Sequence, residues 1–429
     1  MEGLTLPTRR GGLRGNITLP TSKSLTNRAL IASAVADGGT IVAPLDCVDT
    51  RVLAAALRTA GWPVEWGSEI RIGERTVPEH LLSLDLAESG TGSRLILALL
   101  AASPGKFVID GSPRLRERPM APLLQSLIRL GADLSSREGF LPVEIDGGVL
   151  LGGVEGMEPG VSSQFVSALI MAGPLMVNGL DLEVSGSFPS APYLDLTIDV
   201  MRAFGSELEV SDDRRRWRVA PKALERTQYR VEGDWSAAAF VLAAVAVAGG
   251  EVELGPLDPL SRQGDRAVLK ILVDAGLKTD WIDDRVVARG PVTAPIFADL
   301  QHTPDLFPAL AVAASYAPAG SHLSGLDHLK HKESDRLTVM VENLEQLGAR
   351  LKVDGNGFEV TESLGPRSGS MTRVTAAGDH RIAMAMALAA LISGPIELDE
   401  PQCVSKSFPT FWTVWNQLLS GPGNEESGK

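Results

Sequence analysis

Cysteine is scarce in this chain: Cys47 and Cys403 are its two copies among 429 residues. Two thiols exclude a disulfide framework and a cysteine zinc cage, and they fit a reducing compartment. Long apolar runs are missing as well. The most apolar stretch, "AAAFVLAAVAVA" at 237–248, falls short of the roughly 20 residues that cross a membrane. The start, "MEGLTLPTRRGG", has neither a signal-peptide core nor an Arg/Ser-rich transit stretch, so a cytoplasmic location is expected. Positive charge is in deficit: 40 Lys and Arg face 53 Asp and Glu, a net charge of -13. That counts against a nucleic-acid partner, which favours a basic face. A local cluster of cations can still serve a small anionic substrate. Histidine is sparse too. Its six copies show no metal-ligand set, and His328 and His331 lie in a basic loop, "HLKHKESDR", that repels cations, so no metal is expected.

What is present is 44% apolar and 22% charged, a soluble globular composition long enough for two or three domains. The chain also repeats. A helix tail ending in Gly recurs in "LRTAGWPVEW", "LIRLGADLSS", "MRAFGSELEV", "LVDAGLKTDW" and "LEQLGARLKV". The glycines are Gly61, Gly131, Gly205, Gly276 and Gly348, and a further step reaches Gly421 in "WNQLLSGPG". Six units of about 72 residues account for nearly the whole chain. Each tail reads as a helix stopped by a left-handed glycine, usually leading into a strand. Each unit has a second helix that is almost wholly apolar, such as "TSKSLTNRALIASAVA", "ESGTGSRLILALLAAS" and "GDHRIAMAMALAAL". Helices apolar on all sides are buried on all sides. They are therefore predicted to be inner helices and the Gly-terminated ones outer helices, with a short strand between the two. The repeat is an α/β unit.

The inner helices open on polar residues: Ser22, Ser24, Ser89, Thr91, Ser162, Ser163, Asp234, Ser236, Asp305 and Asp379. A helix start offers unpaired N–H donors and about half a positive charge, a natural phosphate or carboxylate site. For any one helix, plain capping explains such residues equally well. Six equivalent starts, with cations at equivalent places, favour a shared anion pocket. These cations are Lys23, Arg28, Arg94 and Arg381 at the inner starts. Arg114, Arg116, Arg118, Lys330, Lys332, Arg336 and Lys406 lie in the loops before the outer helices. Glu333 and Asp305, set among them, are candidate acid/base groups.

Nine motifs occur in the order seen in the 5-enolpyruvylshikimate-3-phosphate synthase family, which the chain resembles from about residue 4 to 412. They are "SKSLTNRAL", "SGTGSRL", "PRLRERPM", "SSQF", "SAPYLDLT", "HTPDLFPALA", "KESDRL", "DHRIAMA" and "KSFP". The resemblance implies an inside-out α/β barrel fold of two similar domains, each of three βαβαββ repeats. Residues 21–232 would form the domain binding mainly shikimate 3-phosphate. Residues 1–20 with 233–429 would form the other, contributing phosphoenolpyruvate and catalytic residues, with the active site in the cleft between them. It implies a monomeric enzyme of the shikimate pathway of aromatic amino acid biosynthesis, needing no cofactor. Such an enzyme transfers the enolpyruvyl group of phosphoenolpyruvate to the 5-hydroxyl of shikimate 3-phosphate and releases phosphate. Addition gives a tetrahedral intermediate, and elimination follows. Carried over by motif, Lys23, Gly90, Arg118, Gln164, Arg336, Arg381 and Lys406 would hold phosphoenolpyruvate. Ser24, Arg28, Ser162, Ser163, Gln164, Ser190, Tyr193, Asp305, His328 and Lys332 would hold shikimate 3-phosphate. Lys23, Asp305 and Glu333 are the implied catalytic groups, and their division into acid and base stays open. The family is the target of glyphosate, which competes with phosphoenolpyruvate, and Gly90 leaves room for it.

Several positions depart from the family pattern. Glu88 stands where an amide is usual, Thr21 and Gly378 replace Gly and Asn, and His328 occupies a place where some members have Asn. Glu88 either points toward bound phosphate or merely caps its helix. The sister family acting on UDP-N-acetylglucosamine typically has Lys-Asn where this chain reads Lys23-Ser24. It often has a reactive Cys in the loop that here reads "SPRLRERPM". Neither signature is present. A non-catalytic anion binder on the same repeats would not need Lys23, Asp305, Glu333 and Lys406 together.

Overall fold

The computed structural model describes residues 3–9, 11–158, 160, 162–186, 190–366 and 371–420. The chain divides into two compact units, one of Met1–Pro20 with Glu232–Lys429 and one of Thr21–Val231. The division falls one residue earlier than the 232/233 boundary read from the sequence. The reason is local: the Glu232 carboxylate accepts from Ser261 Oγ at 2.7 Å and from Gln263 Nε2 at 2.8 Å, both within 232–429.

The repeat is clearest at residues 82–147. Strand Leu82–Asp85 leads into inner helix Gly90–Ala101, then strand Gly105–Asp110, outer helix Ala121–Arg129 and the hairpin Asp133–Arg137 with Phe140–Gly147. The first two strands pair in parallel across the inner helix, and the last strand of the hairpin joins the second antiparallel. The order is thus βαβαββ. Gly153–Met157, Leu180–Val184, Arg216–Val219 and Leu208–Val210 form a sheet of the same pattern.

Three sheets are completed by strands remote in sequence. Gln228–Arg230 pairs in parallel with Gly39–Val42, supplying the opening strand of the first repeat in Thr21–Val231. In the other unit, Leu13–Thr18 does the same for Gly250–Gly255. Leu4–Leu6 pairs antiparallel with Ile396–Leu398, closing the last repeat. The N-terminal 20 residues therefore belong to the C-terminal unit because they supply two of its strands.

Each unit has its own apolar core, built around its inner helices. Helix Trp235–Ala248 is buried at Trp235 and from Ala237 through Ala246, and helix His380–Ser393 is buried along nearly its full length. Outer helices bury one stripe only, as Leu123, Leu124 and Leu127 do in Ala121–Arg129. No helix among the described residues is long and apolar enough to cross a membrane.

The five outer-helix tails within the described residues end as the repeat predicts. Gly61, Gly131, Gly205, Gly276 and Gly348 have φ of 104°, 106°, 78°, 103° and 93°. Gly421 lies outside the described residues. Equivalent position does not mean equivalent surroundings. A Cβ on Gly61 would stand 2.0 Å from the Thr76 carbonyl oxygen, whereas one on Gly348 meets only Leu364 Cδ1 at 3.9 Å. Gly348→Ala should therefore cost about 1–2 kcal/mol, the conformational penalty alone. Gly61→Ala should cost clearly more, because the backbone must also move. Denaturant unfolding of both variants checks the order, and equal losses would mean that the carbonyl contact is unimportant.

Candidate functional site

In the unit completed by the N-terminal strands, the "KESDR" stretch forms the start of helix Arg336–Gln346. Asp335 caps it, accepting from Thr338 N at 3.2 Å. Arg336 is the first helical residue and its side chain is 1% exposed. A buried guanidinium needs charged acceptors on all its faces, and it has three. Nε donates to Asp379 Oδ2 at 2.7 Å, Nη1 to Asp305 Oδ1 at 2.7 Å and Nη2 to Glu333 Oε2 at 2.6 Å. Arg381 Nη2 donates to the other Asp305 oxygen at 2.7 Å, and Lys406 Nζ lies 3.9 Å from Glu333 Oε1. Asp379 also caps its own helix, accepting from Arg381 N at 3.0 Å, and takes a bond from Ser334 Oγ at 3.2 Å.

These contacts set the charge states. Burial pushes the Asp305 carboxyl up, but Arg381, Arg336 and Lys332 outweigh it and hold it far below the ordinary carboxylate range. Burial likewise opposes the charge on Arg336, yet Asp379, Glu333 and Asp305 keep it firmly protonated. His328 is buried and pushed down to about 3, first by burial and then by Lys332, so its imidazole is neutral. Its Nε2 is buried without a hydrogen-bond partner.

In the unit Thr21–Val231, Lys23 opens helix Lys23–Val35 and its Nζ lies 2.9 Å from Asp49 Oδ2. Arg28 is buried one turn further on. Its Nε donates to Thr197 Oγ1 at 2.8 Å, while Nη1 and Nη2 donate to the carbonyls of Ser24 and Tyr193 at 3.0 and 3.2 Å. Burial lowers this guanidinium to about 10, and these three acceptors are neutral, so an anion would be a favourable further partner. Gly90 begins helix Gly90–Ala101, and a Cβ on it would stand 2.1 Å from Arg118 Nη1. The missing side chain is thus the space that Arg118 occupies. Arg118 is 7% exposed, and its Nε has no hydrogen-bond partner.

Gln164 joins this group. It accepts from Arg94 Nη1 at 2.6 Å and donates to Thr91 Oγ1 at 2.9 Å, and its N–H donates to Ser162 Oγ at 3.2 Å. Ser163 Oγ donates to the carbonyl of Ser190, whose own Oγ is buried without a partner at a φ of 65°.

Within one unit the structure thus gathers Asp305, Glu333, Arg336, Arg381 and Lys406 around one network, with Lys332 acting on it electrostatically and His328 within its field. Within the other it places Arg118 against Gly90 and Arg28 against Ser24 and Tyr193. Two of the cations counted from the sequence have acidic partners close by in the chain. Arg114 pairs with Glu117 at 2.8 Å and Arg116 with Asp110 at 2.5 Å, both on the surface. Glu88 is exposed and does not cap its helix. Ser89 does, accepting from Gly92 N at 3.3 Å. Three buried carboxylates escaped sequence reading, Asp49, Glu155 and Asp265, because nothing in their immediate neighbourhood distinguishes them from surface acids. Asp265 accepts from Ser236 Oγ, and its Oδ1 is buried without a partner. Among the described residues, no group of three or more His, Cys, Asp or Glu could hold a metal ion.

Repeated α/β units whose buried helix starts collect arginines, lysines and their carboxylate partners define a protein built to bind small polyanions. The family model described as EPSP synthase (3-phosphoshikimate 1-carboxyvinyltransferase) matches residues 7–415. The 3-phosphoshikimate 1-carboxyvinyltransferase of Pseudoalteromonas translucida is 36% identical over 417 residues, 94% of this chain and 96% of its own. That of Methanoculleus marisnigri is 38% identical over 413 residues, with the same coverage. A solved EPSP synthase from Acinetobacter baumannii has a TM-score of 0.78 and 26% identity, covering 97% of this chain and 98% of its own. This chain belongs to the EPSP synthase family and is a carboxyvinyltransferase.

Asp265 allows a test of the cluster's electrostatics. Its carboxyl is raised from 3.8 to about 7, by burial first and by Asp305 second, against the pull of Arg381. Between those pH values the folded state keeps a proton that the unfolded state has lost, so stability falls as pH rises through the window. Asp265→Asn removes that titration. Its Tm should match or trail wild type at pH 5 and exceed it by several degrees at pH 8. A parallel offset at both pH values would place the Asp265 carboxyl outside this window.

Proposed function

We propose that this enzyme transfers the carboxyvinyl group of phosphoenolpyruvate to the 5-hydroxyl of shikimate 3-phosphate. The observation that carries this reading is the Arg336 network, in which Asp305 is held ionised and contacts Arg381, and Glu333 lies between Arg336 and Lys406. The hydroxyl oxygen would attack C2 and give up its proton to a carboxylate of the site while C3 gains a proton. Loss of phosphate from C2 and of a proton from C3 would then restore the double bond.

In this assignment Lys23, Arg118, Arg336, Arg381 and Lys406 receive the phosphate and carboxylate of phosphoenolpyruvate, with Gly90 and Gln164 beside them. Ser24, Arg28, Ser162, Ser163, Ser190, Tyr193, His328 and Lys332 receive shikimate 3-phosphate. Asp305 accepts a hydrogen bond from the attacking hydroxyl. A carboxylate held by two arginines is a weak base, so its first contribution is orientation. An anionic substrate that draws Arg336 and Arg381 toward itself loosens that hold and raises its basicity. Glu333, between Arg336 and Lys406, is the candidate for proton traffic at C3.

Phosphate release that requires both substrates together tests the reaction, and no release from the pair would end the proposal. The roles also separate by mutation. Lys332→Ala should raise KM for shikimate 3-phosphate by about tenfold with kcat little changed. Glu333→Gln should lower kcat by about 100-fold with a modest effect on either KM. Steady-state kinetics near wild type for both variants would return the "KESDR" stretch to an ordinary helix start.

A further inference from the structure

Lys23 is the first residue of helix Lys23–Val35, and Asp49 lies in the first turn of outer helix Val48–Thr59. Their ion pair is 2.9 Å long, and the side chains are 12% and 6% exposed. The two helix starts are already joined without it. Thr26 Oγ1 donates to Ser22 O at 2.9 Å and accepts from Leu45 N at 3.0 Å. Thr50 Oγ1 donates to Leu45 O at 2.7 Å and accepts from Cys47 N at 3.1 Å. This chain of backbone and hydroxyl bonds fixes one helix start against the other, so docking of the two helices does not require the buried charges. What the ion pair adds is a fixed place for the Lys23 ammonium.

We infer that Asp49 is a positioning residue for Lys23, holding its ammonium charged and oriented for the phosphate-bearing substrate. The inference rests on the reading that Lys23 binds phosphoenolpyruvate. A lysine stem has four rotatable bonds, and fixing it before binding removes an entropic cost that a free side chain would meet on binding. Removing water from an ammonium favours its neutral form, and an adjacent carboxylate reverses that preference. A titratable group that meets both charges is Cys47. Burial raises its thiol above the ordinary value, with Lys23 lowering and Asp49 raising it further. It stays neutral beside the pair and does not compete for Lys23.

The test uses the full-length enzyme carrying Cys47→Ala, so that the thiol does not titrate. Asp49→Asn keeps the shape and removes the charge. It should raise KM for phosphoenolpyruvate by about tenfold and leave KM for shikimate 3-phosphate within about twofold. The alkaline limb of kcat/KM for phosphoenolpyruvate should move to lower pH, and Asp49→Glu should recover part of both effects. An unmoved pH profile with a lowered Tm would show a structural role and overturn the inference. So would a lower KM, which would mark Asp49 as a competitor of the substrate. Lys23→Ala separates the two levels. If it leaves KM for phosphoenolpyruvate unchanged, the site reading fails and the inference with it. If it raises KM while Asp49→Asn does not, the inference alone fails.

Discussion

The constraint on which the architecture depends is the complete burial of the inner helices. A helix such as Trp235–Ala248, apolar on every face, has no surface left on which to carry chemistry. Its sides pack against neighbouring helices and a sheet, and its start is where polar groups are tolerated. There the unpaired N–H donors need acceptors. Asp234, Ser89 and Asp379 each satisfy their own helix start with a side-chain oxygen. Repetition then places further polar side chains at equivalent starts. In this fold the functional groups are concentrated where the core ends.

Arg336 shows what such a position demands. A guanidinium with 1% of its side chain exposed is expensive unless every donor finds a charged acceptor. Asp305, Glu333 and Asp379 come from three separate segments, so satisfying one residue ties together the ends of successive repeats. In the proposed reaction the same bonds would also serve function. They keep Asp305 ionised and hold Glu333 at fixed distances from Arg336 and Lys406, an electrostatic arrangement that needs little reorganisation when a substrate arrives. Asp379 belongs to the support: fully buried, it caps its helix and orients Arg336 at once.

The return of the chain matters as much as the repeats. Strands Leu4–Leu6 and Leu13–Thr18 complete sheets whose other strands lie beyond residue 249. The backbone N–H of Asp234 donates to the carbonyl of Pro20 at 2.9 Å, holding the two connecting segments side by side. Lys23 follows Pro20 by three residues and already lies on the inner helix of the next unit. A residue assigned to phosphoenolpyruvate is therefore anchored within one turn of a crossing.

By itself the sequence determined the period, the two classes of helix and the places where cations gather. These properties are local: an all-apolar helix, a left-handed glycine at Gly61 or Gly348 and a charged helix start each follow from a few neighbouring residues. Motif resemblance added the order βαβαββ and the candidate residues from Lys23 to Lys406. Only the tertiary structure decided which charges are partners. Arg114, Arg116 and Arg118 lie within five residues of one another, yet two pair with surface acids and the third is buried against Gly90. Asp49 and Asp265 look like other acids in the sequence because burial and a distant partner, rather than neighbouring residues, give them their character. Strand exchange was equally invisible, since Leu4–Leu6 meets Ile396–Leu398 across almost the whole chain. Local sequence sets propensity, but a buried charge is governed by whichever group the folded chain brings within reach, and that depends on contacts hundreds of residues apart.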